Sequence, residues 1–197
     1  SKLILGGDHL GPNPWRHLLA DKAMENAQVM VKDYVQAGFT KIHLDASMAC
    51  KGENTPSFEE VARRTAQLCM VAEQYAPELD SLCYVIGTEV PIPGGETETI
   101  DTLQITSPDS LDRTIETHIQ AFKEKNLQAA LSRIVSIVVQ PGVDFSHTYV
   151  TQYSKSSAKK LVAQLSKYKD IAFEAHSTDY QQTTGLANLV ADHHLFL

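Results

Sequence analysis

The sequence predicts an α/β fold around a parallel sheet, and three observations carry that expectation. Short β-branched runs alternate with longer stretches of helical periodicity. Most strand candidates are nearly continuous apolar runs, the pattern of strands covered on both faces. Two irregular stretches, 46–55 and 91–106, directly follow strands, and in a barrel or a doubly wound sheet the loops beyond strand C-termini are where sites are built.

The elements can be justified in order along the chain. Residues 2–6 (KLILG) read as the first strand. The first helix has Asp21 as its cap, an apolar stripe through Met24, Ala27, Val31 and Val35, and Gly38 as a left-handed stop. Residues 41–45 form the second strand. Ser57 and Glu60 then make a capping box ahead of Val61, Ala62, Leu68 and Ala72, with Pro77 just past the helix end. The third strand covers 82–90. Ser107 and Pro108 open a helix that carries Leu111, Ile115, His118 and Phe122. A strand over 133–140 precedes a helix over 157–168 built on Leu161, Val162 and Leu165. A strand over 171–175 leads to a helix that starts near Thr178 or Asp179 and ends before His193, and 194–197 closes the series. Six strands with five helices read as one domain over 1–197. Because strands open and close it abruptly and would leave apolar edges unpaired, that domain is expected to belong to a longer chain.

Composition then excludes several functions. The chain is 43% hydrophobic and 21% charged, the balance of an ordinary globular protein with a sizeable core. Its formal net charge of −7 argues against nucleic-acid and anionic-membrane binding, which both need a basic face. No apolar run approaches the ~20 residues of a membrane helix, and the first residues lack the pattern of a signal peptide. Cys50, Cys69 and Cys83 form no C-x-x-C and read as reduced thiols, which points to the cytoplasm. No G-x-x-x-x-G-K-[ST], G-x-G-x-x-G or G-x-S-x-G segment occurs, so kinase and acyl-transfer readings have no motif.

The residues that could carry chemistry cluster behind strands. Asp8 and His9 follow LILGG, and a carboxylate beside an imidazole can serve as a proton donor next to a metal ligand. The same pair also reads as a turn-capping Asp with a rim histidine. His147 in QPGVDFSH and His176 in FEAHSTD come after two further strands. Three imidazoles with an open fourth position form the ligand set of a catalytic zinc, although three of eight histidines also reach such places by chance. Glu89 could hold a water or a ligand imidazole beside the permissive Gly94 and Gly95, or it could be a solvated turn carboxylate. Asp45 reads either as a rim carboxylate facing the site or as an Asx cap. His118 suits a core position, His43 alternates within its strand and points either inward or outward, His193 and His194 suit a helix end, and His17 suits the surface.

Taken together, GGDHLGPNPW, AGFTKIHLDASM, GTEVPIPGGE and FEAHSTDYQ resemble the Z-type, non-catalytic subunit of bacterial D-tagatose-1,6-bisphosphate aldolase, in order along almost the whole chain. More distantly the layout is similar to class II zinc-dependent ketose-bisphosphate aldolases. That resemblance implies a (β/α)8 TIM barrel, of which this chain holds a partial set of about six strands. It implies Asp8 as proton donor, zinc on His9, His147 and His176, and Glu89 as a supporting catalytic carboxylate. Asp45, Gly94, Gly95 and Ser177 are expected around the substrate, and zinc is the implied cofactor.

Departures from that pattern matter. His176 is followed by Ser177, Thr178 and Asp179, where the active enzymes carry a Gly-rich turn whose amides take a phosphate, and a carboxylate there repels one. His147 lacks the small-residue context of the family's second histidine, and the length between Glu89 and His147 marks an insertion suited to a partner. The expected function is therefore that of a cytoplasmic, non-catalytic subunit in an oligomeric assembly. It would support the activity and stability of the Y-type catalytic aldolase subunit in galactitol or N-acetylgalactosamine breakdown, with no nucleic-acid or membrane partner. The competing expectation is a metal-dependent aldolase in its own right, and a third is a sugar-phosphate binding module.

Overall fold

A computed structural model describes residues 3–87 and 103–197. The fold is α/β, the six-strand portion of a (β/α)8 barrel, as expected. In chain order the elements are β1 (Gly6–Leu10), α1 (Ala20–Gln36), β2 (Lys41–Leu44), α2 (Phe58–Tyr75), β3 (Cys83–Ile86), α3 (Pro108–Glu124), the short α4 (Gln128–Leu131) and β4 (Ile134–Val138). A two-stranded hairpin, β5 (Asp144–Phe145) with β6 (Val150–Thr151), precedes α5 (Lys155–Gln164), β7 (Ala172–Glu174), α6 (Thr183–Ala191) and β8 (His194–Phe196). No helix among the described residues is long and apolar enough to cross a membrane. Two compact units result, residues 3–87 with 113–135 and residues 103–112 with 136–197, and each has its own core.

In the first unit, β1 pairs in parallel with β2 and β2 with β3, while the Tyr84 N–H donates to the Arg133 carbonyl at 2.8 Å just before β4 begins. Helix α1 buries the predicted stripe of Met24, Ala27, Val31 and Val35, and stops ahead of Gly38 at φ +89°. Its N-cap is Leu19, so Asp21 is not the cap. That carboxylate lies in the first turn instead, where it meets the positive end of the helix dipole. Helix α2 starts as predicted, with Ser57 Oγ accepting the Glu60 N–H at 3.3 Å, and it packs on α1. Below the sheet the Tyr84 hydroxyl donates to Glu73, whose other oxygen takes Arg133 at 2.6 Å, so three polar side chains satisfy one another in a largely buried place.

The first strand differs from its expectation. It runs over Gly6–Leu10 rather than 2–6, leaving Leu3 86% and Ile4 71% exposed. The reason is packing: a Cβ on Gly7 would lie 2.7 Å from the ring of Tyr34 on α1, so this glycine, not the apolar run before it, lets the strand approach the helix. Asp8 and His9 thus belong to the strand itself.

In the second unit β4 pairs in parallel with β7 and β7 with β8. Val143, Tyr153, Ala158 and Leu189 form its apolar cluster, and the Tyr153 hydroxyl donates to Asp192 at 2.8 Å. Helix α5 ends at Gln164 and continues as one 3-10 turn to Lys167, short of the expected 168. Helix α6 starts at Thr183 rather than at 178 or 179. Residues 178–182 instead form a turn in which the Gln181 N–H donates to the Thr178 carbonyl at 3.1 Å and the Gln182 N–H to Gln152 Oε1 at 3.0 Å.

Candidate functional site

The first unit's site is built by a bulge. Gly7 pairs with Ile42 and Leu10 with Leu44, so three steps along β1 match two along β2. The extra residue is absorbed at Asp8 and His9, and His9 takes the left-handed φ of +51°. Both side chains thereby meet Lys41, His43 and Asp45, the alternate residues that share one side of β2. Lys41 Nζ pairs with Asp8 Oδ1 at 2.6 Å, and His43 Nδ1 lies 3.8 Å from the same oxygen. The His9 backbone N–H donates to His43 Nδ1 at 3.2 Å, which places the His43 proton on Nε2, and the two rings sit 5.0 Å apart.

Asp45 organises this group. Its Oδ2 accepts from His9 Nδ1 at 3.0 Å, and its Oδ1 accepts the Ser47 N–H at 3.0 Å and the Ser47 hydroxyl at 2.6 Å. The Asx reading of this residue is realised on Oδ1, while Oδ2 faces the His9 ring. Burial raises the Asp45 pKa, but the hydrogen bonds from His9 and Ser47 and the nearby His43 outweigh it and leave the carboxyl below its ordinary value. An ionised Asp45 holds the His9 proton on Nδ1 and puts the ring lone pair on Nε2, the tautomer that a metal-ligating histidine needs.

The second unit repeats the device with different residues. Glu174, only 2% exposed, accepts from His176 Nε2 at 3.0 Å, so this imidazole is also anchored by a carboxylate. Ser177 follows at φ +58°, half-buried, with Thr178 buried behind it and Asp179 exposed. His147 is exposed on the turn joining β5 to β6. Glu89, Gly94 and Gly95 lie outside the described residues.

The structure thus brings Asp8, His9 and Asp45 together in one unit and sets Ser177 beside His176 in the other. Sequence reasoning missed Lys41 and Glu174, and left the direction of His43 open. Alternation from Asp45 back through His43 to Lys41 would have found the β2 stripe. A single acid inside the apolar run IAFEA would have singled out Glu174, because an acid is buried only with a partner.

These features define an α/β-barrel type of protein with carboxylate-anchored imidazoles at its strand ends. The chain belongs to the D-tagatose-1,6-bisphosphate aldolase subunit GatZ/KbaZ-like family, which matches residues 1–197. It is also similar to the crystal structure of a probable tagatose 6 phosphate kinase from Sinorhizobium meliloti 1021, at 45% identity and a TM-score of 0.89. That match takes in 100% of this chain and 46% of the other, so the chain spans less than half the length of this relative.

Proposed function

We propose that this chain acts as the non-catalytic subunit of a tagatose-bisphosphate aldolase, raising the activity and heat stability of the Y-type catalytic subunit in the cytoplasm during galactitol or N-acetylgalactosamine breakdown. Membership of the aldolase-subunit family across residues 1–197 carries the reading. The exposed Asp179 beyond His176 supports it, because a carboxylate in that turn disfavours a substrate phosphate. The test is an aldolase assay of the catalytic subunit alone, of this chain alone and of their mixture. The mixture is expected to exceed the sum of the two, and equality with that sum would remove the proposal.

A second reading, a metal-dependent aldolase in its own right, is favoured by the Asp45–His9 pair. His9 in one unit and His176 in the other are each held by a carboxylate at 3.0 Å, the arrangement that orients ligand histidines in zinc sites. The proposed ligands are His9, His147 and His176, with Asp8 as proton donor, Glu89 in support, and Asp45, Gly94, Gly95 and Ser177 toward the substrate. When bound, zinc would stabilise the enediolate formed on C–C cleavage. In the protein itself, Asp45 and Glu174 fix the two rings, and Lys41 holds the Asp8 carboxylate in place. Substantial zinc in the purified chain, lost in His9→Ala, together with activity of the chain alone, would favour this reading over the first.

A further inference from the structure

We infer that the β5–β6 hairpin, Tyr180 and the outer stripe of α6 form one face of the second unit, on which the catalytic aldolase subunit docks. This inference rests on the proposed role as a non-catalytic subunit and adds to it the surface that holds the partner. Cross-strand pairing sets the direction of the hairpin: Asp144 opposes Thr151 and Phe145 opposes Val150. Residues directly opposite share a side, so the side with buried Asp144 turns inward, and Phe145 and the exposed Val150 turn away from the unit. Tyr180, 62% exposed, meets the Phe145 ring edge-on at 4.8 Å and widens the patch. Helix α6 extends it, because Thr183, Ala187 and Val190 stand at i, i+4 and i+7 on one stripe and are all exposed, Val190 at 50%.

Rigidity and charge both suit this face to a protein partner. The hairpin lies outside the six-stranded sheet, and strands of two residues are too short to hold themselves. Side-chain amides hold it instead. Gln181 Nε2 donates to the Thr151 carbonyl at 2.8 Å and Gln181 Oε1 accepts the Tyr153 N–H at 2.8 Å. Gln152 Nε2 donates to the Tyr180 carbonyl at 3.2 Å and Gln152 Oε1 accepts the Gln182 N–H at 3.0 Å. A Cβ on Gly185 would lie 3.1 Å from Gln181 Oε1, so α6 begins against the same amides and the three pieces form one body. A face ordered in advance loses little entropy on binding. Residues 145–154 and 180–191 contain no Lys, Arg, Asp or Glu, in a chain that is 21% charged with a net charge of −7. Exposed aromatic side chains with few charges are the composition of an interface core. Membership of an aldolase-subunit family implies a protein partner, and a second copy is disfavoured because it would bring two chains of −7 together. The matching surface is uncharged, apolar and edged by hydrogen-bonding groups, so the contact should be nearly indifferent to salt.

The experiment titrates this chain into the catalytic aldolase subunit and reads the concentration that gives half of the full activation. It is repeated with Tyr180→Asp, with Val190→Arg, and with Val29→Arg, which changes an exposed residue of the first unit. Tyr180→Asp is expected to raise that concentration roughly tenfold or more, because it puts a charge into the centre of the contact. Val190→Arg should act in the same direction from α6, which keeps the test decisive if Tyr180→Asp does not fold, and Val29→Arg should match the parent chain. Raising salt from about 0.05 to about 0.5 M should move the parent value by less than about threefold. Unchanged values for both Tyr180→Asp and Val190→Arg, or an equal loss in Val29→Arg, overturn the inference and leave the proposed function standing. Sedimentation that shows the parent chain self-associating through this face, with the variants monomeric yet fully activating, assigns the face to a second copy and also overturns it. A parent chain that gives no activation overturns both.

Discussion

At the scale of single residues, Asp45 shows how one carboxylate can serve the local turn and the site at once. It accepts from Ser47 on one oxygen and from His9 on the other, and Gly11 makes the arrangement possible: a Cβ there would lie 1.6 Å from the Asp45 carbonyl oxygen. Gly11→Ala is therefore expected to destabilise the chain by about 2–3 kcal/mol, because the strand ends must move apart. Denaturant unfolding checks this, and a loss under about 0.5 kcal/mol contradicts it. If the chain holds zinc, Asp45→Ala should lower its affinity by about 10–100-fold while leaving the fold intact, since the ring of His9 would lose its fixed tautomer. The sequence showed that Asp8, His9 and Asp45 were chemically suited, but not that a bulge joins them. Register depends on the partner strand, which local pattern does not contain.

At the scale of elements, helices were the most legible, because a stripe such as Met24, Ala27, Val31 and Val35 repeats over several turns. The first strand was misplaced because the closest approach to α1 falls on Gly7, which has no side chain to reveal it. The β5–β6 hairpin was missed for another reason: two-residue strands are too short to show a period, and side-chain amides from 152 and 181 hold them. The start of α2 illustrates a tertiary role for a helix residue. Arg64, 2% exposed, reaches Glu60 at 2.7 Å and also pairs with Glu53, whose Oε2 accepts the Cys50 N–H at 2.9 Å. It therefore ties the 46–55 loop to the helix. Arg64→Met is expected to cost roughly 2–3 kcal/mol and to raise amide exchange across that loop, because Glu53 loses its partner in a half-buried place. Exchange rates in 46–55 that stay at parent levels would contradict this.

At the scale of the whole molecule, acid should weaken the fold through buried imidazoles. Burial pushes His118 down to about 4, although its hydrogen bond to the Thr114 carbonyl opposes the shift, and burial likewise pushes His194 down to about 4 against its bond to the Leu189 carbonyl. Both stay neutral when folded and take up protons near 6.5 when unfolded, so their contribution is complete above pH 6.5. It is lost progressively as pH falls from 6.5 to 4, by up to roughly 3 kcal/mol for each residue. Chemical denaturation across that range is expected to show the decline, and His118→Leu should remove about half of it. An unchanged slope in that variant would show that His118 is not the group responsible. Histidines within apolar patterns were visible in the sequence, His118 among them; their burial became measurable only in the packed units.

The claim on which the functional account depends is that this chain supports a catalytic partner. The most direct measurement is the rate of heat inactivation of the Y-type aldolase subunit, with and without an equimolar amount of this chain. The account predicts a markedly slower loss of aldolase activity in the mixture, by the linkage that stabilises any protein whose folded form alone binds a partner. Identical inactivation rates at concentrations that give full activity in the mixed assay would contradict it.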